Sequence, residues 1–309
     1  MISPTLDRHS AKSYNGAMHD LLLHNDSIRP TSTHCLSAGQ TGLLNGWGVF
    51  STLRVRDGVL FAYERHWARL VRDAKLLRVP MPASSDWLHQ RLLQLVETNK
   101  ANNATLRLAI IRNKGGVFED PNIDRPFDLI AFTTDLRKWG AAVRLGVVEQ
   151  GRHAASPFAG TKVTSWCQNL TFYDRAHEQG YDEVVLLNEF GKVSECTSAN
   201  IFATFGNRVV TPPLSSGCLP GITRQILLEE VNVAGYQVVE EDLELSRLGD
   251  ADEVFITSST RELLAVSFIK GITVQNSGNG RQVLQKAFTT YSEAYVKSHT
   301  VPTGLNVGS

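Results

Sequence analysis

Two neighbouring features of the sequence could act on one ligand. The first is Glu195, a single carboxylate among the small polar residues of the segment SECTS. The second is Pro220-Gly221, which precedes a helix predicted to begin at Ile222 and Thr223. Because the first turn of a helix has unpaired N–H groups and a partial positive charge, it can bind a phosphate. Together the two features suit a ligand with a basic ring nitrogen and a phosphate.

Pyridoxal 5'-phosphate (PLP) has both groups, and its chemistry also needs a lysine amine. Lys162 is the candidate, since it follows the small residues Ala159, Gly160 and Thr161 and precedes an apolar stretch that includes Trp166. An attacking amine must be deprotonated, which a confined and partly desolvated site promotes. Considered alone, Lys162 is better interpreted as a surface lysine before a helix.

Glu195 also has two interpretations. A carboxylate beside the pyridine nitrogen would keep that nitrogen protonated, and PLP then withdraws electrons most effectively. A glutamate at the end of a strand is more often simply exposed to solvent. The small residues around Glu195 would allow a cofactor to approach closely, so both interpretations stay open.

Several groups could contact a phosphate. They are the Arg69 side chain, the N–H groups of Ile222 and Thr223, the Thr223 hydroxyl, and the turn TSST at 257–260, since hydroxyls and N–H groups that follow a strand can bind oxyanions. Each has a simpler explanation. The helix start and the turn would be an ordinary cap and a polar loop, and Arg69 lies off the apolar stripe of its helix, which predicts a solvated side chain.

The composition is that of a globular protein. The chain has 309 residues, a formal net charge of zero and 42% hydrophobic residues, enough for one large domain or two smaller ones. Balanced charge gives no reason to expect nucleic acid or an anionic membrane as a partner, and no apolar run of about 18 residues predicts a transmembrane helix. The four cysteines form no CxxC pair, so we expect free thiols and a cytoplasmic protein.

The first half of the chain predicts strands and two helices. VFSTLRV (49–55) and VLFAY (59–63) flank Asp57-Gly58, a hairpin signal. Apolar spacing predicts helices at about 63–78 and 85–100, the second with a serine N-cap. Further strands are predicted at 104–112 and 127–134, separated by a loop rich in Gly, Pro and Asp.

The pattern restarts near 135–142, where we place a domain link. Beyond it, strands are predicted at 143–149, 183–188, 199–204, 207–211 and 252–259, and helices at about 166–180, from Ile222, and at about 280–298. Strands and helices mix without a regular βαβ alternation, which favours an α+β fold. We therefore predict a loose leader (1–16), a small α+β domain (17–135), a linker (136–142) and a large α+β domain (143–309) that carries Lys162.

The order of these segments resembles one enzyme family. Six blocks carry the resemblance: GWGVFSTLRVRDG, ERHWARL, GTKVTSW, GYDEVVLLNEFGKVSECTSANIF, VVTPPLSSGCLPGITR and ADEVFITSSTREL, within about residues 43–268. They are similar to the class IV (fold type IV) PLP enzymes, which include branched-chain amino acid aminotransferase, D-amino acid aminotransferase and 4-amino-4-deoxychorismate lyase. The resemblance implies a two-domain fold type IV protein, PLP as cofactor, no metal, and a homodimer.

The resemblance also implies roles for individual residues. Lys162 matches the Schiff-base lysine, Glu195 the partner of the pyridine nitrogen, and Arg69 the phosphate arginine. The remaining matches are Ile222, Thr223, Ser258 and Ser259 at the phosphate, Ser259 and Thr260 as N–H donors to the substrate carboxylate, and Phe50, Arg107 and Arg112 on the substrate side.

The resemblance identifies the family more clearly than it identifies the reaction. Branched-chain enzymes usually have an Asn-Tyr pair after the lysine and a Phe-Glu-Gly segment, where this chain has Val163-Thr164 and Phe50-Ser51-Thr52. We expect a transaminase that acts on a hydrophobic or branched-chain amino acid, with 2-oxoglutarate as the acceptor. The alternatives are 4-amino-4-deoxychorismate lyase, which would release pyruvate and 4-aminobenzoate, and a non-catalytic protein that binds a small molecule on the same fold.

Overall fold

Two β-sheets with flanking helices form the protein. The computed structural model describes residues 17–117 and 119–300, so the predicted leader, 1–16, lies outside the described residues. Strands and helices are mixed, and the two sheets are separate in sequence order. The α+β prediction is therefore confirmed, while the domain bounds stay a prediction.

The first sheet has six strands, and every hydrogen-bonded pair in it is antiparallel. Its strands are β1 (Met18–His24), β2 (Ser27–Pro30), β3 (Gly48–Arg56), β4 (Val59–Leu60), β5 (Ala104–Arg112) and β6 (Phe127–Asp135), in the spatial order β2-β1-β6-β5-β3-β4. A short helix, α1 (Thr41–Asn45), precedes β3. Because side chains alternate between the two faces of a strand, one face of this sheet can be buried by helices while the other faces a cavity.

Two helices cover one face of this sheet. They are α2 (Tyr63–Leu77) and α3 (Ser85–Thr98), and α3 begins with the predicted serine cap, since the Ser84 hydroxyl accepts a hydrogen bond from the Trp87 N–H at 3.1 Å. Leucines at helical spacing, among them Leu88 and Leu92, pack on Leu106 and Leu108 of β5. Leu70 and Ala74 of α2 belong to the same buried cluster, so this packing fixes both helices on the sheet.

The β3–β4 hairpin leads directly into α2. Asp57 and Gly58 have φ values of 50° and 80°, the left-handed conformation that a tight two-residue hairpin turn requires at both positions. The second strand ends at Leu60 rather than at residue 63, because Ala62 has left-handed dihedrals and turns the chain into the helix.

The second sheet has eight strands and mixed pairing. Its strands are β7 (Ala142–Val148), β8 (Glu183–Leu187), β9 (Val193–Cys196), β10 (Asn200–Phe205), β11 (Arg208–Thr211), β12 (Gln237–Glu240), β13 (Glu253–Ser258) and β14 (Glu262–Ile269), in the order β12-β11-β10-β13-β14-β7-β8-β9. Its helices are α4 (Cys167–Glu178), α5 (Ile222–Glu229) and α6 (Gly280–His299), with short 3-10 helices at Leu214–Ser216 and Ser246–Gly249.

Aromatic residues join the second sheet to its helices and to the first half of the chain. Phe202 and Phe255 stack at 5.1 Å between ring centroids, beneath α5 and α6. Phe61, which follows β4, lies 5.9 Å from Phe288 and 5.2 Å from Tyr295, both in α6. These buried contacts hold the two halves against each other, as a pocket shared between them requires.

The described residues contain neither a membrane-spanning helix nor a metal-binding cluster. Within 17–117 and 119–300, no helix has the length and apolar character to cross a bilayer, and no group of three His, Cys, Asp or Glu side chains is arranged to hold a metal. The four cysteines are free thiols.

Candidate active site

A cavity of about 1060 Å³ lies between the two sheets. Elements from both halves line it, including β3 and β5 of the first sheet and the turn between β13 and β14 of the second. Ten of the eleven predicted site residues line this cavity: Phe50, Arg69, Arg107, Lys162, Glu195, Ile222, Thr223, Ser258, Ser259 and Thr260. Residues up to 210 positions apart are thus brought together (260 − 50 = 210).

Arg112 is the predicted site residue that lies elsewhere. Its guanidinium donates to the backbone carbonyls of Lys114 and Arg78 and lies 4.2 Å above the Trp47 ring. Arg107 and Arg112 are both in β5, five residues apart, and an odd separation on a strand places side chains on opposite faces. Arg112 therefore lies outside the cavity, and its substrate contact stays a prediction that this position does not support.

Lys162 lies on a segment that extends the first sheet. The short strand β4 pairs only with the end of β3, at residues 55 and 56, and leaves the start of β3 available. Val163 forms a bridge with Val49, and the Phe50 N–H donates to the Lys162 carbonyl at 3.1 Å. The second half of the chain therefore supplies the lysine, and the first half holds its backbone.

The Lys162 side chain lines the cavity. Its Nζ lies 4.6 Å from the centre of the Phe50 ring. Desolvation and the positive charge of Arg69 together lower the pKa of Lys162 to about 7, against the opposing negative charge of Glu195. A substantial fraction of such an amine is deprotonated at neutral pH, as a nucleophile requires. The surface interpretation of Lys162 does not fit this position.

Glu195 is 7% exposed and lies on β9. Its Oε1 accepts from Arg152 Nε at 2.8 Å, and its Oε2 accepts from the Leu219 N–H at 3.1 Å. Arg152 also donates to Asn169 Oδ1 at 3.0 Å. Both carboxylate oxygens are therefore oriented by donors, with the negative charge held at the cavity wall. Arg152 was not predicted, because nothing in the segment GRH distinguishes it from a solvated arginine.

Arg69 is 7% exposed, although the helical periodicity alone predicted a solvated side chain. Its two terminal nitrogens donate to the Pro220 carbonyl at 3.2 Å and to Ser51 Oγ at 3.1 Å. Burial lowers its pKa to about 10, which still leaves it charged at neutral pH. A guanidinium has five N–H donors, so donors remain for an anion beside Pro220.

The start of α5 lies beside the Arg69 guanidinium. Its N-cap is Gly221, without any side-chain cap, so the first N–H groups of the helix are not used by a capping residue. A Cβ on Gly221 would lie 2.0 Å from Asn200 Oδ1, which explains the glycine. The Arg69 guanidinium and the N–H groups of Ile222 and Thr223 therefore face one small region, which suits a phosphate.

The turn after β13 adds hydroxyls to the cavity wall. Ser258 Oγ accepts from the Arg261 N–H at 3.2 Å. Thr257 Oγ1 is buried and has no hydrogen-bond partner among the described residues. A buried hydroxyl without a partner is costly unless a ligand or solvent satisfies it, so this turn also fits an anionic ligand.

The opposite wall combines aromatic rings with a cation. The rings of Phe50 and Trp166 meet edge to face at 6.0 Å, and the Arg107 guanidinium lies 4.1 Å from the Phe50 ring centre. Burial lowers the pKa of Arg107, and no carboxylate among the described residues pairs with it at salt-bridge distance. Thr52 lies directly opposite Arg107 on β3 and also lines the cavity. This wall can therefore bind a carboxylate.

The comparisons with known proteins agree with this geometry. The family model described as amino-transferase class IV matches residues 48–269. A branched-chain-amino-acid aminotransferase of Escherichia coli is 29% identical over 251 residues, 76% of this chain and 79% of the relative. A D-alanine aminotransferase of Bacillus licheniformis is 27% identical over 286 residues, 91% and 99% of the two chains. A crystal structure of E. coli branched-chain amino acid aminotransferase superposes with a TM-score of 0.80 at 25% identity, covering 89% and 95%.

Proposed function

Because this chain belongs to the amino-transferase class IV family, whose enzymes use PLP, we propose that it transfers an amino group from an amino acid to a 2-oxo acid such as 2-oxoglutarate. One observation carries the proposal. Lys162, with a pKa lowered to about 7, lies in the same cavity as the Glu195 carboxylate and the Arg69 guanidinium. An amine, an acid and a phosphate site are the three contacts that PLP needs from a transaminase.

The residues of the cavity fit PLP on structural grounds. Arg69 and the uncapped start of α5 would hold the phosphate, and the unsatisfied Thr257 hydroxyl lies in the same wall. Glu195 would face the pyridine nitrogen, and Lys162 would bind the aldehyde carbon. The cavity volume of about 1060 Å³ leaves room for a substrate beside the cofactor.

Lys162 would act as both nucleophile and base. When bound, PLP withdraws electrons from the substrate α-carbon and makes its proton acidic. Lys162 would act as the base that accepts this proton on Nζ and then donates it again. Its lowered pKa suits both steps, because a base with a pKa near the working pH is the most effective.

Glu195 would hold the proton on the ring nitrogen. Its two oxygens are already oriented by Arg152 and the Leu219 N–H, so they need little reorganisation when charge develops on the ring. Such preorganised electrostatic contacts stabilise transition states by several kcal/mol, about 3 in typical cases.

Substrate groups would bind on the Phe50 wall. Arg107 has no carboxylate partner there, so it would bind a carboxylate of the 2-oxo acid. Backbone N–H groups at Ser259 and Thr260, on the opposite side of the cavity, would bind the substrate carboxylate. Phe50 and Trp166 provide apolar surface for a hydrophobic or branched side chain of the amino donor.

We also propose a homodimer in the cytoplasm. Phe158 and Leu170 line the cavity mouth and are 51% and 49% exposed. The homodimer rests on the family resemblance, and these two exposed apolar side chains are ones that a partner subunit would cover. The free thiols support a reducing compartment.

A substrate test separates the transaminase from the lyase. The purified holoenzyme is incubated with leucine and 2-oxoglutarate, and separately with aminodeoxychorismate, while glutamate, pyruvate and 4-aminobenzoate are measured. The same assay is repeated with a panel of L- and D-amino acids as amino donors. We expect glutamate to form in the reaction with leucine and 2-oxoglutarate. Release of pyruvate and 4-aminobenzoate without glutamate would establish the lyase, and no product from any donor would favour a binding protein.

Arg69→Ala should weaken PLP retention much more than it lowers the rate at saturating PLP. Removal of a charged hydrogen-bond partner costs about 1.5–3 kcal/mol, which corresponds to an increase in the PLP Kd of about 10- to 100-fold. Dialysis followed by fluorescence titration with PLP measures the Kd. Arg175→Ala, on the exposed side of α4, is the matched control. A wild-type Kd for the Arg69 variant would remove it from the phosphate site.

Arg107→Met should raise the KM for 2-oxoglutarate by about 10- to 100-fold, because a buried guanidinium that binds a carboxylate would be lost. The methionine preserves much of the apolar contact with Phe50. Arg112→Met provides the control on the same strand, since Arg112 lies outside the cavity. Equal KM values for both variants would assign the acceptor carboxylate to other groups. Steady-state kinetics with varied 2-oxoglutarate make the comparison.

A further inference from the structure

One side of α2 faces the segment that carries Lys162. Arg69, Arg72 and Asp73 occupy positions i, i+3 and i+4, so their side chains lie on the same side of the helix. Asp73 is 1% exposed. A carboxylate this deeply buried is rare without a specific set of partners, and the proposed reaction gives it no role.

The partners of Asp73 and Arg72 are in the lysine segment. Asp73 Oδ2 accepts from the backbone N–H of Lys162 at 3.0 Å. Arg72 donates from one terminal nitrogen to the Gly160 carbonyl at 2.8 Å, and from Nε to Asp73 Oδ1 at 2.8 Å. We call this pair the α2 clamp. It binds the backbone on both sides of Thr161.

Further contacts hold the segment that carries Lys162 from its other sides. The Lys162 carbonyl accepts from the Phe50 N–H at 3.1 Å, so both backbone polar groups of Lys162 are bound by the first half of the chain. Gly160 has φ +67°, and a Cβ there would lie 2.8 Å from the Cys218 carbonyl oxygen. The segment is therefore held between α2, β3 and the loop before α5.

We propose that Asp73 is a positioning residue which, with Arg72, fixes Lys162 at a set distance from Arg69. The proposal rests on the proposed role of Lys162. A rigid helix carries both the phosphate guanidinium and the clamp, and PLP has a fixed length between its phosphate and its aldehyde carbon. Holding both ends on one helix presents the amine at the attachment point, and a displacement of about 1 Å can lower a rate by about 100-fold.

The charge of Asp73 has a second, separable effect. Desolvation, Arg69 and Arg107 lower the pKa of Lys162, whereas the negative charges of Glu195 and Asp73 raise it. Removing the charge of Asp73 while keeping its shape should therefore lower the pKa of Lys162. A residue that only stabilised the fold would produce no such shift.

Two variants separate position from charge. Asp73→Ala removes the acceptor and the charge, whereas Asp73→Asn keeps an oxygen that can accept from the Lys162 N–H, although its NH2 then faces Arg72 and loses that hydrogen bond. Asp174→Asn, exposed on α4, is the control for the amide substitution. Hydrogen exchange of a peptide that spans 160–164 reports the clamp, and competitive amine labelling against pH with mass spectrometry reports the pKa of Lys162. Both measurements use the full-length protein without PLP, so they remain informative if the transaminase proposal fails.

We expect hydrogen exchange at Lys162 to be faster than wild type in Asp73→Ala and near wild type in Asp73→Asn. In Asp73→Asn, the midpoint of amine labelling at Lys162 should move to lower pH by about 0.5–1 unit. In the holoenzyme, Asp73→Ala should lower kcat about 10- to 100-fold with little change in the KM of the amino donor. Wild-type exchange and kcat in Asp73→Ala would overturn the proposal. If that variant does not fold, Arg72→Ala takes its place, because Arg72 donates to the Gly160 carbonyl and to Asp73, and wild-type exchange together with wild-type kcat in Arg72→Ala overturns the proposal.

Discussion

Lys162→Ala should abolish turnover, with a loss of at least about 10⁴-fold, and should leave the fold intact. The variant loses both the nucleophile that binds the cofactor and the base that moves the α-proton. The fold should persist because the contacts of this segment with Asp73 and Phe50 use the Lys162 backbone, which alanine retains. Truncation also removes a desolvated amine that is costly to bury.

Single-turnover transamination and circular dichroism test this expectation. Lys286→Ala, exposed on α6, is the matched control. Borohydride reduction of the PLP-loaded wild type, followed by mass spectrometry, should place the covalent label on Lys162 and on no other lysine. A variant with near wild-type turnover, or a label on another lysine, would contradict the assignment.

Glu195→Gln should lower kcat by about 10²- to 10³-fold, or about 2.7–4 kcal/mol, while PLP is still retained. The substitution removes the charge that holds the ring proton, whereas the phosphate contacts around Arg69 are unchanged. The glutamine NH2 must also face either Arg152 or the Leu219 N–H, both of which are donors. We therefore expect a further loss of stability of about 1–3 kcal/mol.

The two effects of Glu195→Gln are measured separately. Turnover at saturating PLP and substrate gives kcat, thermal unfolding gives the stability change, and PLP titration gives retention. Glu293→Gln, exposed on α6, provides the control. If kcat remains within twofold of wild type, Glu195 does not hold the ring proton, and another group must.

Most of the regular elements were predictable because their signals are local. The apolar spacing of α2, the serine cap of α3 and the Asp57-Gly58 turn are each read within a few residues, and all three are confirmed. Strands β1, β2, β9, β12 and β14 and helix α1 were not predicted. Strands β2, β9 and β12 have four residues each and α1 has five, which is too few to show a period. The limits of the longer β1 and β14 depend on pairing with β6 and β7, which lie far away in sequence.

The site was predictable only where a motif marks it. The family blocks placed ten cavity residues correctly, whereas their individual patterns favoured solvated side chains for Arg69, Lys162 and Glu195. Burial of a charged side chain depends on tertiary partners, which local periodicity does not contain. Asp73 and Arg152 were not singled out for the same reason, and Arg112 lies outside the cavity because its strand face differs from that of Arg107.

The lysine segment on the edge of β3 has a consequence for synthesis in the cell. The first sheet is complete once Asp135 has been made, but the cavity wall is finished only at Arg261, after 261 − 135 = 126 more residues. At typical translation rates this takes about 6–25 s. Until Val163 arrives, the start of β3 lacks its neighbour there, and an unpaired strand edge is prone to aggregation. The nascent chain is therefore expected to depend most on chaperones while the segment between Asp135 and Val163 is being made.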